Sequence, residues 1–581
     1  MFLLLALWPA AVGATTTTKK KNIVFLVVES TDGRTWSPGY SEDVIPLPNI
    51  RKLQNEGVSF ERHYSNAPVC CPSRASFWSG RHAHRIPHES PLGGFAVEGA
   101  WNNYEGLPAN FSDRIDQVLA RDYGYATFLN GKTDWTAGSH SENVYLDAWT
   151  KYVDFPYDVP GAGGWYTELP EKMCASNGTV APGNESLFEA DWQATREAVA
   201  FAKEHLRTGS SSPYFLYTGH EIVHPPYRTS ESWSNEIDRA KVTVPTWPAL
   251  SELHPCDFQH SMRKGCTPAD VNASWFFAAD RVREIRAVYY AMIAEYDAMV
   301  GEYVESLYDP ESTVFLVTSD HGDMQLEHQS VYKMSAYDAS ASVPMVIAPA
   351  AVPGSKVTVP TQLVDLFPTI IELAGGRLRG SSDGQSLLPF VVAQHSAFNR
   401  DFVVSQFHGD DVAMSWFAVV AVLANGDAYK LVKWGDGSLH EDQLFNLSQD
   451  PDELTNLVTT SRRRRVALVR RVLEAKLRSV VDYVAVAHDV ADYNRRSLEA
   501  WIAAVGEDKW RQEIHKPGLR WDTPFDRDVN ASLAALDAFR AAAGSGPGLR
   551  PCRGALVFSP SYGASNSVLV ESPAKEETLR R

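Results

Sequence analysis

Three short runs of mainly apolar residues constrain the fold of this chain more than any other feature of its sequence. The runs are Lys21–Val28, Pro213–Thr218 and Ser312–Ser319. Such runs are typical of strands that are buried on both faces of a parallel sheet. Helical patterns at Ala190–His205 and Val282–Tyr308 alternate with them. This alternation predicts an α/β sheet with helices on both faces.

Polar side chains follow each of the three runs. Glu29 comes after the first, His220–His224 after the second, and Asp320 and His321 after the third. Ligands of open α/β sheets bind beyond the carboxyl ends of the strands. We therefore expect the three clusters to converge on one site.

A change of pattern near residue 401 predicts a second, smaller unit. Shorter alternating runs at Phe402–Phe407, Trp416–Leu423 and Tyr429–Trp434 indicate a small antiparallel sheet. A helical pattern from about Arg463 to Val480 is expected to pack on that sheet.

The length of the chain and its first residues predict how it is divided. Its 581 residues exceed one typical hydrophobic core. Residues 1–14 form an apolar run typical of a secretory signal peptide, and no other stretch reaches the ~20 apolar residues of a membrane span. The predicted segments are a signal peptide (1–14), a large N-terminal domain that carries the site (20–398), a smaller α+β domain (399–540) and a loosely ordered tail (541–581).

Six Asn-x-Ser/Thr sequons fit a route through the secretory pathway, to the lysosome or the cell exterior. The sequons begin at Asn110, Asn177, Asn184, Asn272, Asn446 and Asn530. Cys256 and Cys266 are near enough in sequence to close a short loop by a disulfide.

The densest chemical signal lies in residues 70–81. This stretch begins Cys-Cys-Pro-Ser-Arg at Cys70 and has Gly80 ten residues later. Pro72 suits the first turn of a helix and Gly80 its end. Cys70 would then lie at a helix N-terminus, which favours anions, and Arg74 adds a charge that can bind an oxyanion. The alternative is a buried structural pair of cysteines at a turn.

The motif Cys-x-Pro-Ser-Arg resembles that of the formylglycine-dependent sulfatases, and the resemblance extends over about residues 22–521. It is closest to the lysosomal-type members that remove the 2-O-sulfate of glucuronate from glycosaminoglycans. Further matching segments are Asp32–Arg34, Trp101–Tyr104, Gly131–Asp134, Ser319–Gly322, Tyr332–Ser335, Val364–Thr369, Ser405–Gly409 and Asp450–Asn456. The resemblance implies the alkaline-phosphatase-like sulfatase fold, with a large mixed, mostly parallel sheet between helices and a smaller C-terminal antiparallel-sheet domain.

The resemblance also implies the nucleophile. Cys70 would be oxidised to formylglycine by the formylglycine-generating enzyme, whereas Cys71 is excluded because Pro72 follows it directly. The hydrated aldehyde attacks the sulfur of a sulfate ester, and the alcohol leaves with a proton from a histidine. The second hydroxyl of the hydrate then expels sulfate, so that one hard displacement becomes two easier steps.

A divalent cation is implied as well, with Ca²⁺ preferred to Mg²⁺ because the ligands are hard oxygens. By resemblance its ligands are Glu29, Asp320, His321 and the modified Cys70. The family has Asp where this chain has Glu29, a change that flexible Ca²⁺ coordination tolerates better than Mg²⁺ does. Asp32 is either an additional ligand or, as we prefer, the cap of the turn at Gly33.

The remaining site residues are also carried over from the resemblance. Lys132 and Lys333 would clamp the sulfate oxygens. His224 would protonate the leaving sugar oxygen, since its unperturbed pKa lies near working pH.

Four further residues complete the predicted site. His140 is a companion candidate for acid–base work or for binding the hydrate, and Arg74 is expected to stabilise the hydrate and the metal-ligand carboxylates. His408 is a candidate contact of the substrate's carboxylate. His328 is either near the site or a structural loop histidine.

Three functions remain open from the sequence. The first is hydrolysis of uronate 2-sulfate in a sulfated carbohydrate, and the second is hydrolysis of another sulfate, phosphate or phosphonate monoester. The third is a weakly active binding protein, suggested only by Glu29 and Ser30. The formal net charge of −17 means that attraction of an anionic substrate depends on a local basic pocket, and we expect no nucleic-acid partner.

A run of four arginines at Arg462–Arg465 lies outside the resemblance. It opens a pattern with apolar residues at nearly helical spacing, which favours an amphipathic helix with a solvated basic face. A polyanion-binding patch and a processing site are the alternatives.

Overall fold

The computed structural model describes most of the chain. The described ranges are 20–38, 44–89, 96–101, 106–108, 110–136, 178–248, 252–263, 278–377, 380–408, 415–438, 440–461, 464–490 and 492–493. The predicted signal peptide and tail lie outside them, as do His140, Cys266, Asn177, Asn272, Asn530, Arg462 and Arg463.

Strands and helices alternate through most of the described part of the chain. The strands are β1 (Asn22–Val28), β2 (Val58–Phe60), β3 (His63–Tyr64), β4 (Pro87–Glu89), β5 (Ala96–Glu98), β6 (Ala126–Gly131), β7 (Thr179–Ala181), β8 (Tyr214–His220), β9 (Arg228–Ser230), β10 (Thr313–Ser319), β11 (Met345–Ala348), β12 (Ser355–Val357), β13 (Thr361–Gln362), β14 (Phe402–Phe407), β15 (Trp416–Val422), β16 (Ala428–Trp434) and β17 (Gln443–Asn446). The α-helices are α1 (Pro48–Glu56), α2 (Cys70–Ser79), α3 (Ile115–Tyr123), α4 (Glu189–Arg207), α5 (Glu231–Asn235), α6 (Pro255–Arg263), α7 (Ala279–Leu307), α8 (Asp338–Ala341), α9 (Leu366–Leu373), α10 (Leu388–Val391), α11 (Leu457–Thr460) and α12 (Arg464–Arg478).

A seven-stranded sheet organises the larger part of the molecule, in the order β12-β2-β11-β10-β1-β8-β6. Only β11 of these seven strands runs antiparallel to its neighbours, so the predicted mixed, mostly parallel sheet is confirmed. All seven residues of β1 are buried. Alternate residues of β1 pack in one core with α4 and α7 and in another with α2, α3 and α9. Burial on both faces is why this strand reads as a continuous apolar run.

Four neighbouring strands of this sheet, β10-β1-β8-β6, are parallel and end at one edge. Val28 of β1 pairs with Ser319 of β10 and with His220 of β8. Gly131 of β6 pairs with Gly219 of β8. The residues that follow these strands therefore start side by side, as the sequence predicted for three of them.

A separate antiparallel sheet, β14-β15-β16-β17, forms the smaller C-terminal unit. The predicted strands are confirmed to within about one residue, whereas β17 was not predicted. Helix α12 packs on this sheet through Val469, Leu473 and Leu477. In chain order, β12 is the last strand of the seven-stranded sheet and β14 is the first strand of the antiparallel sheet. The domain boundary near residue 399 lies between them and stays a prediction.

Helix α12 is amphipathic, in line with the preferred interpretation of the arginine run. Arg464 and Arg465 are exposed. Farther along, Arg470 pairs with Asp442, and Lys476 pairs with Asp401 at 2.7 Å. Among the described helices, none combines the length and apolar character needed to cross a bilayer.

Buried titratable groups predict how stability depends on pH. Burial lowers the pKa of several described histidines, to about 3 for His63, His82, His84, His220 and His254 and to about 4 for His328. Burial has the opposite effect on carboxyl groups, since it raises the pKa of Asp191 and Glu453 to about 7 and of Asp257 and Asp297 to about 6.

The two effects oppose each other between about pH 6.5 and pH 4. The histidine contribution to stability is present above pH 6.5 and is lost as the pH falls toward 3–4, because the unfolded chain binds the extra protons. The carboxyl contribution grows as the pH falls, but it is complete near pH 4, where carboxyl groups of the unfolded chain are protonated too. Below about pH 4 the loss from the histidines is therefore unopposed by these carboxyl groups.

We accordingly expect the midpoint of thermal unfolding to fall more steeply per pH unit between pH 4 and pH 3 than between pH 6.5 and pH 4. Scanning fluorimetry in buffers of equal ionic strength would measure it. A midpoint that falls no faster below pH 4 than above it would contradict the prediction.

Candidate active site

The shared edge of β10, β1, β8 and β6 brings polar residues together around the start of α2. Glu29 follows β1, Lys132 follows β6, and Asp320 and His321 follow β10. Cys70 is the first residue of α2. The convergence of polar clusters expected from the strand runs therefore holds at this edge.

Helix α2 is held rigidly with its N-terminus at this edge. All ten of its residues are buried, and it ends at Gly80, whose φ of 68° is the left-handed conformation that glycine adopts without strain. The Ser73 hydroxyl donates to the Asp320 carbonyl at 2.6 Å and accepts from Ser65 at 3.1 Å. These bonds fix the first turn of α2 against the end of β10, so Cys70 has little freedom to move.

The Cys70 sulfur lies in the middle of a charged cluster. It donates to Glu29 Oε1 at 3.0 Å, accepts from Lys333 Nζ at 2.8 Å, and lies 3.7 Å from His321 Nε2. Ligand atoms of Glu29, Cys70, Asp320 and His321 all lie within 4.8 Å of one another, as a shared metal ion requires. These four are the ligands predicted from the sequence.

Arg74 ties the two carboxylates of the cluster together. Its guanidinium donates to Glu29 Oε2 and to Asp320 Oδ2, each at 2.9 Å, and all three side chains are fully buried. It also donates to the Tyr217 hydroxyl at 2.8 Å and to the Lys132 carbonyl at 2.9 Å. Each nitrogen of this buried cation is thus bonded, and the predicted role of Arg74 toward the carboxylates agrees with these contacts.

Glu29 has more charged neighbours than any other group of the site. Besides Cys70 and Arg74, it contacts Lys333 at 3.0 Å, His321 at 3.1 Å and Lys132 at 3.3 Å. Burial alone would raise the pKa of Glu29, but the charges of Lys132, Lys333 and His321 hold it well below its usual value. Glu29 is therefore ionised, and its extra methylene relative to Asp does not remove it from the cluster.

The acidic pair also acts on the imidazole of His321. Burial would lower the pKa of His321, but the charges of Asp320 and Glu29 contribute to raising it to about 9. Burial raises the pKa of Asp320 against the effect of Arg74. The position between these three side chains thus favours positive charge, and the donor set of two carboxylates and an imidazole fits a divalent cation.

Lys333 is presented to the site by a strained segment. Its side chain is fully buried, and the residues on either side, Tyr332 and Met334, have φ of 73° and 75°. Such angles are uncommon outside glycine and persist where the surroundings enforce them. Ser30, which follows Glu29, has a φ of 55°. The strained backbone thus lies directly next to Glu29 and Lys333, two of the charged residues of the site.

His224 is half-buried at the border of the cluster. Its Nδ1–H donates to the Pro225 carbonyl at 2.6 Å, so Nε2 accepts from the Tyr332 hydroxyl at 3.2 Å. Burial and then the charges of Lys333 and Lys132 lower the pKa of His224 well below its usual value. The pKa of His224 therefore lies below the unperturbed value from which the sequence-based prediction started, and the imidazole is neutral in this arrangement. A bound anion that offsets the lysines is needed before the imidazole holds a proton.

Asp32 is a cap and not a ligand. Its carboxylate accepts from the backbone N–H of Arg34 at 2.9 Å, pairs with the Arg34 guanidinium at 2.7 Å, and accepts from Gln325 at 2.7 Å. This is the role preferred from the sequence.

Two predicted histidines have contacts away from the cluster. His328 stacks on Tyr337 with ring centroids 3.7 Å apart and bonds the Asp452 carbonyl, so it is a structural loop histidine. His408 is buried against Trp101 and Phe417, and its Nε2 bonds Gln406 at 3.1 Å. These contacts do not include the carboxylates or lysines around Cys70.

Three contacts of the site were not predicted from the sequence. Tyr217 bonds Arg74, Tyr332 bonds His224, and Ser73 bonds the end of β10. Ser73 and Tyr332 lie inside segments already singled out, so adjacency to Arg74 and Lys333 was an available signal. Tyr217 lies within a strand, where its sequence context is that of any buried core tyrosine.

The chain is similar to proteins of known family and fold. A family model described as Sulfatase matches residues 21–376, and one described as N-sulphoglucosamine sulphohydrolase, C-terminal, matches residues 326–482. Arylsulfatase K of Rattus norvegicus is 32% identical over 550 residues, which cover 90% of this chain and 89% of the rat protein.

Two solved structures are similar in fold. The phosphonate monoester hydrolase of Silicibacter pomeroyi has a TM-score of 0.58 at 22% identity, covering 80% of this chain and 96% of that chain. A protein solved in complex with its substrate D-glucosamine-2-N,6-O-disulfate has a TM-score of 0.57 at 16% identity, covering 82% and 99%. At these identities the two structures show the fold alone.

Proposed function

The chain belongs to the sulfatase family and is a hydrolase of carbohydrate sulfate esters, and we propose that it removes the 2-O-sulfate of a uronate in glycosaminoglycans. The observation that carries the proposal is the setting of Cys70, whose sulfur contacts Glu29 and Lys333 at the N-terminus of a buried helix. The uronate is the part of the proposal that rests on the motif resemblance.

Cys70 is proposed to be the formylglycine of the mature enzyme. The sulfur then stands in for the oxygens of the hydrated aldehyde, and formylglycine supplies the nucleophile for attack on the sulfate sulfur. Two features of the chain support this role. The start of α2 offers the positive end of a helix dipole to an anion, and Lys333 holds a fixed charge 2.8 Å from the Cys70 sulfur.

The lysines and His224 divide the work on the substrate. Lys132 and Lys333 flank the Glu29 carboxylate at 3.3 and 3.0 Å, and their ammonium groups bind the sulfate oxygens. His224 lies next to this pair and gives a proton to the leaving sugar oxygen at Nε2. Arg74 keeps Glu29 and Asp320 in place. His140 and His408 stay candidates for acid–base work and for binding the substrate's carboxylate.

Ca²⁺ is the proposed metal. Glu29, Asp320, His321 and the modified Cys70 would hold it, and when bound it neutralises charge on the sulfate oxygens. Flexible coordination suits the longer Glu29 side chain better for Ca²⁺ than for Mg²⁺.

The proposed maturation runs through the secretory pathway to the lysosome or the exterior, with the formylglycine-generating enzyme as a partner. Glycans are proposed at Asn110 and Asn184, whose side chains are exposed. Asn446 is only 8% exposed, and its amide bonds Asp427 at 3.3 Å. Its surroundings argue against a glycan there.

Purified, correctly modified protein should hydrolyse an aryl sulfate with a kcat/KM at least about tenfold above that for the matching aryl phosphate. Both substrates would be followed by release of the same nitrophenol. The Cys-x-Pro-Ser-Arg motif favours sulfur, while the fold similarity to a phosphonate monoester hydrolase is the reason to measure the phosphate and phosphonate esters. Faster cleavage of the phosphate or phosphonate ester than of the sulfate ester would show that the protein is a hydrolase of that phosphorus ester instead.

A further inference from the structure

A cavity of about 150 Å³ lies beside the proposed reaction centre, and His224 forms part of its wall. Other parts of the wall come from the start of α4, the segment after β8 and the start of β9. Sites for drug-sized ligands are usually about 300–1,000 Å³. This cavity therefore has room for a single sugar ring and not for an oligosaccharide.

Arg228 offers the cavity an unused cation. Its guanidinium lies 5.4 Å from the centre of the Phe188 ring, and both residues line the cavity. Arg228 is exposed, and although its backbone pairs with Thr179 in the β7–β9 ladder, its guanidinium makes no hydrogen bond or ion pair with any described residue. Stacking on an aromatic ring orients a guanidinium without using its N–H donors. The donors thus remain available to a carboxylate, which matches their forked geometry.

Glu221 offers an acceptor and connects the cavity with the sulfate-binding lysines. Its backbone N–H and that of Ile222 donate to the two carboxylate oxygens of Asp191, each at 2.9 Å, which fixes this segment ahead of His224. The side chain of Glu221 is exposed and has no bond to a described residue. Its charge is one of those that raise the pKa of Lys132, so the cavity lies within electrostatic reach of the lysine.

We propose that this cavity binds the sugar ring that carries the scissile sulfate, and that Arg228 binds the carboxylate of that ring. His224 lies next to both the lysine pair and the cavity. When Lys132 and Lys333 bind the sulfate group of a sugar ester, the leaving oxygen of the sugar therefore lies at His224 and the sugar ring lies in the cavity. Glu221 accepts hydrogen bonds from the ring hydroxyls. The inference rests on the proposed function and explains how a uronate is distinguished from a neutral sugar.

The test compares two substrates that differ only at the carboxylate. One is a glucuronate 2-sulfate glycoside and the other is the corresponding glucose 2-sulfate glycoside. In Arg228→Gln, we expect the ratio of kcat/KM for the uronate over the glucose substrate to fall about 10- to 100-fold, the size of a charge-assisted hydrogen bond. Arg228→Lys should retain part of the preference because it keeps the charge. Arg207→Gln, at the far end of α4 and paired with Glu204, is the matched control and should keep the wild-type ratio.

Calorimetry with the desulfated products separates this inference from the proposed function. The wild-type protein should bind the glucuronate glycoside more tightly than the glucose glycoside, and Arg228→Gln should lose that difference, whether or not either ester is hydrolysed. An unchanged selectivity ratio in Arg228→Gln, or equal product binding before and after the substitution, would refute the role of Arg228. If wild-type protein that carries formylglycine at residue 70 released sulfate from none of the esters, the proposed function itself would be refuted.

Discussion

Replacing Cys70 by alanine should abolish hydrolysis of both aryl and sugar sulfates, with a loss in kcat of at least about 10³-fold. The sulfur of Cys70 is the atom that Glu29, Lys333 and His321 surround, and a methyl group there can neither be oxidised to an aldehyde nor attack sulfur. Activity would be measured on protein made together with a formylglycine-generating enzyme. Mass spectrometry of the peptide around residue 70 should show the wild type about 18 Da lighter than the thiol form, because the conversion replaces the thiol by an aldehyde.

Cys71→Ser is the matched control for Cys70→Ala. Cys71 is also buried in the first turn of α2, but the Cys-x-Pro-Ser-Arg spacing is preserved when Cys71 is changed. We therefore expect this variant to carry the aldehyde and to keep activity within severalfold of the wild type. Full activity of Cys70→Ala would show that the nucleophile is assigned to the wrong residue. An unmodified thiol in active native protein would show that the aldehyde is not needed.

Glu29→Gln should remove both metal dependence and most of the activity. Glu29 is the carboxylate that contacts Arg74, Lys132, Lys333 and His321 together. Its loss leaves buried cations without their partner, which typically costs about 3–5 kcal/mol of folding free energy for a broken buried pair. Electrostatic groups of this kind are worth about 10²–10³-fold in kcat. In the wild type, chelation should lower activity and the thermal unfolding midpoint, and Ca²⁺ should restore both.

Two further substitutions show whether the losses in Glu29→Gln come from weaker Ca²⁺ binding. Glu29→Asp keeps the charge and should retain Ca²⁺-dependent stabilisation at a weaker affinity. Asp32→Asn lies three residues away; it keeps a cap but loses the charge that pairs with Arg34, so it should lower stability by about 1–3 kcal/mol and leave the Ca²⁺ response unchanged. Calcium affinity would be read from the unfolding midpoint as a function of free Ca²⁺. A Glu29→Gln variant with a wild-type calcium response would exclude Glu29 as a ligand.

Much of this site was predictable from the sequence because local patterns determine the strands and the helix that position its residues. The apolar runs that became β1, β8 and β10 are long and uninterrupted, since both faces of these strands are buried. Parallel strands end at one edge, so Glu29, Asp320 and His321 had to come close together. Pro72 and Gly80 bracket α2, and the position of Cys70 at its start followed from them.

Other features depend on contacts between distant parts of the chain. The neutral state of His224 results from burial and from the positions of Lys132 and Lys333, which are separated from it by about a hundred residues. Asp32 became a cap because Arg34 and Gln325 occupy its carboxylate.

Strand periodicity and short motifs are local properties of a chain. Periodicity was enough to predict the sheet, and the resemblance of the motifs to those of the sulfatases implied the family and the chemical identity of the residues around Cys70. The protonation state of each group and the cavity beside His224 emerged only once the chain was folded. Burial and long-range contacts set the electrostatic environment of a side chain, and neither can be read from its neighbours in sequence.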